Sequence, residues 1–126
     1  MIQNCHIHHG TKVGIGISAG SNKNIYIKNT HINNISGSYG AIYNNTDGNI
    51  FVDTSSIIDS TGCGIYNKNA AIKINNFIAD NISGTGLSAG HGLYLVNPSN
   101  VDITFSAKNN VRLTNRVDIS QVTGYN

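Results

Sequence analysis

Glutamate is absent from the chain, and six aspartates face only six lysines plus Arg112 and Arg116. The lysines are scattered, so there is no dense basic stripe of the kind that phosphate contacts need, and nucleic acid is excluded as an expected partner. Leucine is nearly as scarce: Leu87, Leu93, Leu95 and Leu113 cannot supply the framework of a leucine-rich repeat. No segment keeps a three-to-four residue apolar period over a helical length, because Gly and Asn interrupt every candidate, so essentially no helix is expected. No apolar run approaches the roughly 20 residues of a membrane span. The opening Met1-Ile2-Gln3-Asn4 lacks the basic-then-apolar order of a signal peptide.

What the chain does have is a repeated unit, clearest over Ser56–Ile74. Gly64-Ile65-Tyr66-Asn67 has relatives in Gly14-Ile15-Gly16-Ile17, Ala41-Ile42-Tyr43-Asn44 and Gly92-Leu93-Tyr94-Leu95, at steps of about 27, 23 and 28 residues. A second triplet, Ile72-Lys73-Ile74, matches Ile25-Tyr26-Ile27, Ile50-Phe51-Val52 and Val101-Asp102-Ile103 at steps of about 25, 22 and 29. Each triplet is apolar-x-apolar and is bounded by turn-forming Gly, Asn, Ser or Asp, which reads as a short strand with one buried face. A single such rung buries almost nothing. Stacked in parallel about 4.8 Å apart, the rungs put Ile25, Ile50, Ile72 and Val101 in one interior file and Ile27, Val52, Ile74 and Ile103 in another.

A third landmark, Asn34-Ile35-Ser36-Gly37, recurs verbatim at Asn81-Ile82-Ser83-Gly84, with Asp59-Ser60-Thr61-Gly62 between them. Asn4-Cys5 reads as its forerunner. This alignment makes Asn4, Asn34, Asp59 and Asn81 a candidate amide ladder, since Asn tolerates left-handed bends and its side chain can pair with a like one on the next rung. It also puts Cys5 in a file with Ile35, Ser60 and Ile82. Cys63 then lies two rungs further on, beyond the roughly 7 Å between Cα atoms that a disulfide spans.

Three short strands or bends per rung resemble the right-handed parallel β-helix of the pectate-lyase-like superfamily, found in polysaccharide lyases, pectin-type hydrolases, bacterial adhesins and phage tailspikes. The expected fold is therefore an all-β, right-handed parallel β-helix of four to five coils, with residues 1–110 forming coils and 111–126 a last partial coil or exit segment. Such a stack is roughly 20 to 24 Å long, and its open ends lack a polar or helical cap, which predicts a piece of a longer protein. The resemblance implies a phage tailspike or similar surface or secreted protein, placed on a virion tail or outside the cell. Its implied partner is a polysaccharide or cell-surface glycan, and its implied assembly a homotrimer burying Tyr26 and Phe51.

Several residues are candidates for chemistry. Tyr43, Tyr66 and Tyr94 fall on successive rungs and, with Tyr26 and Phe51, form the candidate carbohydrate-binding set, because sugar rings present apolar C–H faces to aromatics. A ladder of tyrosines packed on one another is the structural alternative. By resemblance, lyases of this superfamily use a basic residue near a Ca²⁺ ion held by clustered Asp, and the hydrolases use paired carboxylates. Asp59 and Asp80, on adjacent rungs and one position out of step, are the candidate acid/base pair. No metal or other cofactor is expected, with Ca²⁺ reserved for the lyase alternative. His6, His8 and His9 invite a metal reading, yet no Cys or carboxylate at ligand spacing completes a shell, and His31 and His91 fall elsewhere in this register. Gly84–Gly92 reads as an inserted surface loop.

Overall fold

The computed structural model describes residues 1–18, 23–84, 90–96, 99–107, 111–114 and 122–123. Among the described residues thirteen strands run in chain order: β1 Ile2–Gln3, β2 His6–His8, β3 Ile15–Ile17, β4 Asn24–Lys28, β5 His31–Asn33, β6 Gly40–Asn44 and β7 Asn49–Thr61, then β8 Cys63–Lys68, β9 Ile72–Ser83, β10 Leu93–Val96, β11 Val101–Ala107, β12 Val111–Thr114 and β13 Val122–Thr123. No helix occurs among the described residues. The strands form two sheets, one ordered β1-β4-β7-β9-β11-β13 with β2 and β5 alongside, the other β12-β10-β8-β6-β3. Pairing is parallel throughout. The chain lays a strand in one sheet, crosses to the other, and returns beside its own previous strand, which makes a parallel β-solenoid.

The solenoid has about three turns, fewer than the four to five expected. Three turns, β4 to β6, β7 to β8 and β9 to β10, carry both sheets in full, whereas β1 and β13 are two residues each. The strands β12 and β13 pair with β10 and β11 and so extend both sheets. Most of the inserted loop (85–89), Arg116 and the tail beyond Thr123 lie outside the described residues.

The expected files are present. Ile25, Ile50, Ile72 and Val101 pair in register, as do Ile27, Val52, Ile74 and Ile103. On the other sheet Ile15, Ile42, Ile65 and Leu93 form a matching file. Ile27, Ile50, Val52, Ile72 and Ile74 of the first sheet and Ile15, Ile42, Ile65 and Leu93 of the second point inward into one apolar core, with Ile25 partly buried against it, each buried Ile contributing about 1.5–3 kcal/mol relative to exposure.

Each turn bends where a residue adopts positive φ, and these residues stack too: Asn4, Asn29, Thr54 and Asn76 at one corner, His9, Asn34, Asp59 and Asn81 at the next. Asn suits the left-handed region because its short polar side chain offsets the steric cost. The corners also correct the expected ladder. Asn34, Asp59 and Asn81 do share a corner, but their partner in the first rung is His9, because the true step there is 25 residues: His6 pairs with His31. Asn4 belongs to the other corner, where the Asn29 Nδ2 donates to its Oδ1 at 2.8 Å. Cys5 moves with it into the file of Thr30, Ser55 and Phe77, its carbonyl accepting from the His31 amide at 2.9 Å. Cys5 and Cys63 form no disulfide.

At both corners inward hydroxyls replace ladder bonds that the bend breaks. Ser55 Oγ accepts from the Thr30 amide at 3.1 Å, and Ser60 Oγ from the Ile35 amide at 3.2 Å. Rungs come closest at Gly37 and Gly62, where a Cβ on Gly62 (φ 84°) would strike the Tyr39 carbonyl oxygen.

Candidate functional site

Outward side chains of three strand segments form three distinct surfaces. On the first, β4 and β7 bring Tyr26 directly beside Phe51, with ring centroids 4.8 Å apart and planes at 15°. Tyr26 is 42% exposed, the more exposed of the two rings. A groove of about 400 Å³ runs along this surface, lined by Met1, the two rings, Lys28, Asp53 and Lys73. Alternation explains the rim: Lys28 and Asp53 stand two residues beyond the aromatics on the same outward face, and Asn75 follows on β9. Asp53 accepts from Asn75 Nδ2 at 3.0 Å and from Thr54 Oγ1 at 3.1 Å. Lys73 lies 3.5 Å from Asp102, with both side chains about 60% exposed, a solvated pair that contributes little to stability.

The second surface lies on the other sheet. Tyr43, Tyr66 and Tyr94 stack in sequence, with centroids at 4.9 and 5.6 Å and interplanar angles of 24° and 11°. Tyr39 tilts against Tyr43 at 5.0 Å, and His91 meets Tyr94 edge-on at 6.0 Å. Parallel stacking covers the ring faces with one another, and Tyr94 is only 5% exposed. Hydroxyls and ring edges are what this ladder offers. Burial of Tyr66, followed by the neighbouring Tyr43, Tyr94 and Cys63, pushes its phenol above the ordinary value of 10.0.

The third surface corrects the expectation for the histidines. His31, placed elsewhere by the first alignment, stands directly beside His6, and His8 beside Asn33. His6 and His8 share a face as expected, with centroids 5.1 Å apart, and the Nδ1 atoms of His8 and His9 approach to 2.7 Å. His31 Nδ1 is 2.8 Å from Ser56 Oγ. The readable signal was the 25-residue step from His6 to His31, equal to that from Ile2 to Ile27.

Asp59 and Asp80 lie on adjacent rungs one position out of step, Asp59 opposite Asn81 and Asp80 opposite Ile58. The Asp59 carboxylate sits at a bend and accepts from Asn81 Nδ2 at 2.7 Å. Among the described residues no three His, Cys, Asp or Glu side chains converge to hold a metal ion. The clustered aspartates of a Ca²⁺ site are not assembled there. Nor does any helix among them have the length and apolar character to cross a membrane.

The fold and these faces define a parallel β-solenoid with an aromatic groove. No protein-family model, no curated protein sequence and no solved structure matches the chain.

Proposed function

We propose that the chain recognises polysaccharide through the Tyr26–Phe51 groove, as a β-helical segment of a tailspike-like or other surface or secreted protein. The carrying observation is the exposed, stacked Tyr26–Phe51 pair lining a groove of about 400 Å³. A sugar ring lays its C–H face on such a ring, while Lys28, Asp53 and Asn75 offer both donors and acceptors to its hydroxyls. The groove's volume falls in the range of roughly 300–1,000 Å³ usual for small-molecule sites.

A second reading is favoured by the tyrosine ladder, whose mutually covered faces suit rung-to-rung stabilisation: a structural or adhesive solenoid, in which a homotrimer buries Tyr26 and Phe51 instead of a glycan. The experiment is to titrate the chain with a panel of bacterial capsule and plant-wall polysaccharides, following binding and chain length together. At least one should bind, and Tyr26→Ala with Phe51→Ala should weaken it at least tenfold, about 1.4 kcal/mol. Absence of binding by a well-folded chain favours the structural reading. Chain shortening replaces recognition with a lyase or glycoside hydrolase activity; its survival in an Asp59→Asn/Asp80→Asn variant would then remove those two as the acid/base pair.

A further inference from the structure

The first rung places histidine where the next rung places asparagine. His8 stands in register with Asn33, and His9 takes the positive-φ corner that Asn34, Asp59 and Asn81 take on later rungs. Neither position therefore asks for an imidazole, since Asn33 serves the strand end and Asn34 the bend. The corner has a second effect. Consecutive side chains of a strand point to opposite faces, but a φ of 58° at His9 turns its ring back toward that of His8. The two rings meet at 87° with centroids 4.9 Å apart, and their Nδ1 atoms approach to 2.7 Å. At most one proton fits in such a gap, so at least one of the two nitrogens presents a bare lone pair. The other reaches the same state by carrying its proton on Nε2, as a neutral imidazole can. Both side chains are exposed.

We propose that His8 and His9 chelate a divalent transition-metal ion between their Nδ1 atoms, with Cu²⁺ the best fit. Imidazole nitrogen binds such ions at about 2.0–2.1 Å, which puts two donors at a right angle about 2.9 Å apart, whereas tetrahedral donors stand about 3.4 Å apart. The observed 2.7 Å is nearer the right angle, and exposed rings close the remaining difference by small rotations. Nitrogen pairs at a right angle suit the tetragonal ions Cu²⁺ and Ni²⁺, and Cu²⁺ binds most tightly in the first-row divalent series. Ca²⁺ and Mg²⁺ require oxygen ligands, which the pair does not supply. His6 shares the face, its ring 5.1 Å from that of His8, yet among the described residues no third side chain completes a cluster. The remaining coordination positions belong to water. Ligand spacing along the sequence does not disclose such a pair, because the bend at His9 is what brings neighbouring residues together. The site lies on the third surface and requires nothing of the aromatic groove.

The test titrates the whole chain with Cu²⁺, Ni²⁺ and Zn²⁺, with Ca²⁺ and Mg²⁺ as controls, by calorimetry and by electron paramagnetic resonance of the copper form. One Cu²⁺ should bind per chain with a Kd of roughly micromolar order, more tightly than Ni²⁺ or Zn²⁺, and should give a tetragonal spectrum split by two nitrogens. The controls should not bind. His8→Asn and His9→Asn, which copy the residues of the next rung and so keep the strand end and the bend, should each weaken Cu²⁺ binding at least tenfold. His6→Asn and His31→Asn should each change it by less than about threefold. Should either of the first two variants not fold by circular dichroism, ring-nitrogen NMR of the Zn²⁺-loaded parent decides: Nδ1 of both His8 and His9 should shift on loading, while Nε2 keeps its proton. Absence of Cu²⁺ binding by folded protein, binding that survives His8→Asn or His9→Asn, or zinc-dependent shifts at Nε2 or at His6, His31 and His91 instead overturns the proposal.

Discussion

Asparagine does three separate jobs in this molecule. At the corners it holds positive φ, as at Asn29, Asn34 and Asn81. On the outside it pairs rung to rung, as where Asn49 Nδ2 donates to Asn24 Oδ1 at 3.1 Å. Inside, Asn44 and Asn67 are wholly buried: Asn44 Nδ2 donates to Asn67 Oδ1 at 2.8 Å and to the Gly48 carbonyl at 2.9 Å, while Asn67 Nδ2 donates to the Ala70 carbonyl at 2.9 Å. This amide pair interrupts a register file that is otherwise Ile17, Leu95 and Leu113. Asn67→Ala strands the Ala70 carbonyl and removes an acceptor from Asn44, so a loss of about 2–3 kcal/mol is expected from buried polar groups left unpaired. Asn24→Ala, at an exposed pair, should stay within about 0.5 kcal/mol. Urea midpoints at unchanged slope measure both, and equal losses would show that burial does not set the strength of these ladders. The inward pair was visible in the recurrence of Ile-Tyr-Asn, yet reading Asn as a turn former hides it; strict alternation after the outward Tyr43 and Tyr66 is what turns Asn44 and Asn67 into the core.

Among the strands, like stacks on like, and that is why the elements were legible. The triplets around Ile25, Ile50, Ile72 and Val101 recur because each must present the same volume to the same neighbours. The corners were less so, because a corner asks only for a residue that tolerates its φ, and His9, Asn34, Asp59 and Asn81 share that tolerance without sharing a sequence pattern. Anchoring the first rung on Asn4 instead of His9 displaces Cys5 and separates His31 from His6, so the pairing of the two histidines stays hidden in the sequence pattern. The aromatic files and a packed ladder of Tyr43, Tyr66 and Tyr94 are legible in the repeat, but which aromatic stays most exposed is not, because ring orientation depends on packing between rungs. The tyrosine ladder has its own consequence. Because the folded state holds the Tyr66 phenol above its ordinary value, folded protein keeps that proton at a pH where the unfolded chain has lost it. The associated stability is full below pH 10, the ordinary value, and is lost as pH rises through the raised one. Urea midpoints should therefore fall on the alkaline side, Tyr66→Phe should flatten that fall, and phenolate absorbance should lose its last-titrating component. A Tyr66→Phe curve that tracks the parent would mean the ladder exerts no such linkage.

In a solenoid each rung is held by its own contacts and by those with the rung before and the rung after, so stability accumulates along the axis instead of around a centre. The longest register here joins β7 to β9, running from Ile50–Ile72 to Thr61–Ser83 through both corners. It is flanked by β4 and β5 on one side and β11 on the other. By contrast β1, β2 and β3 each pair on one side only among the described residues. Amide hydrogens of strands paired on both sides are released only when a large part of the stack opens, whereas one-sided rungs can open alone. Hydrogen exchange should accordingly rank β7, β8 and β9 slowest, with Val52, Ile57, Ile65 and Ile74 among the last amides to exchange, and β1 to β3 fastest. Ile57→Ala sharpens the test, since Ile57 is fully buried between Ile32 and Ala79 and its truncation costs about 2–5 kcal/mol. Coupling between rungs requires that loss to appear in the protection of β5 and β9 as well as β7. Confinement of the change to β7 would mean that the rungs open independently, and that the shared core files do not bind the three turns into one unit.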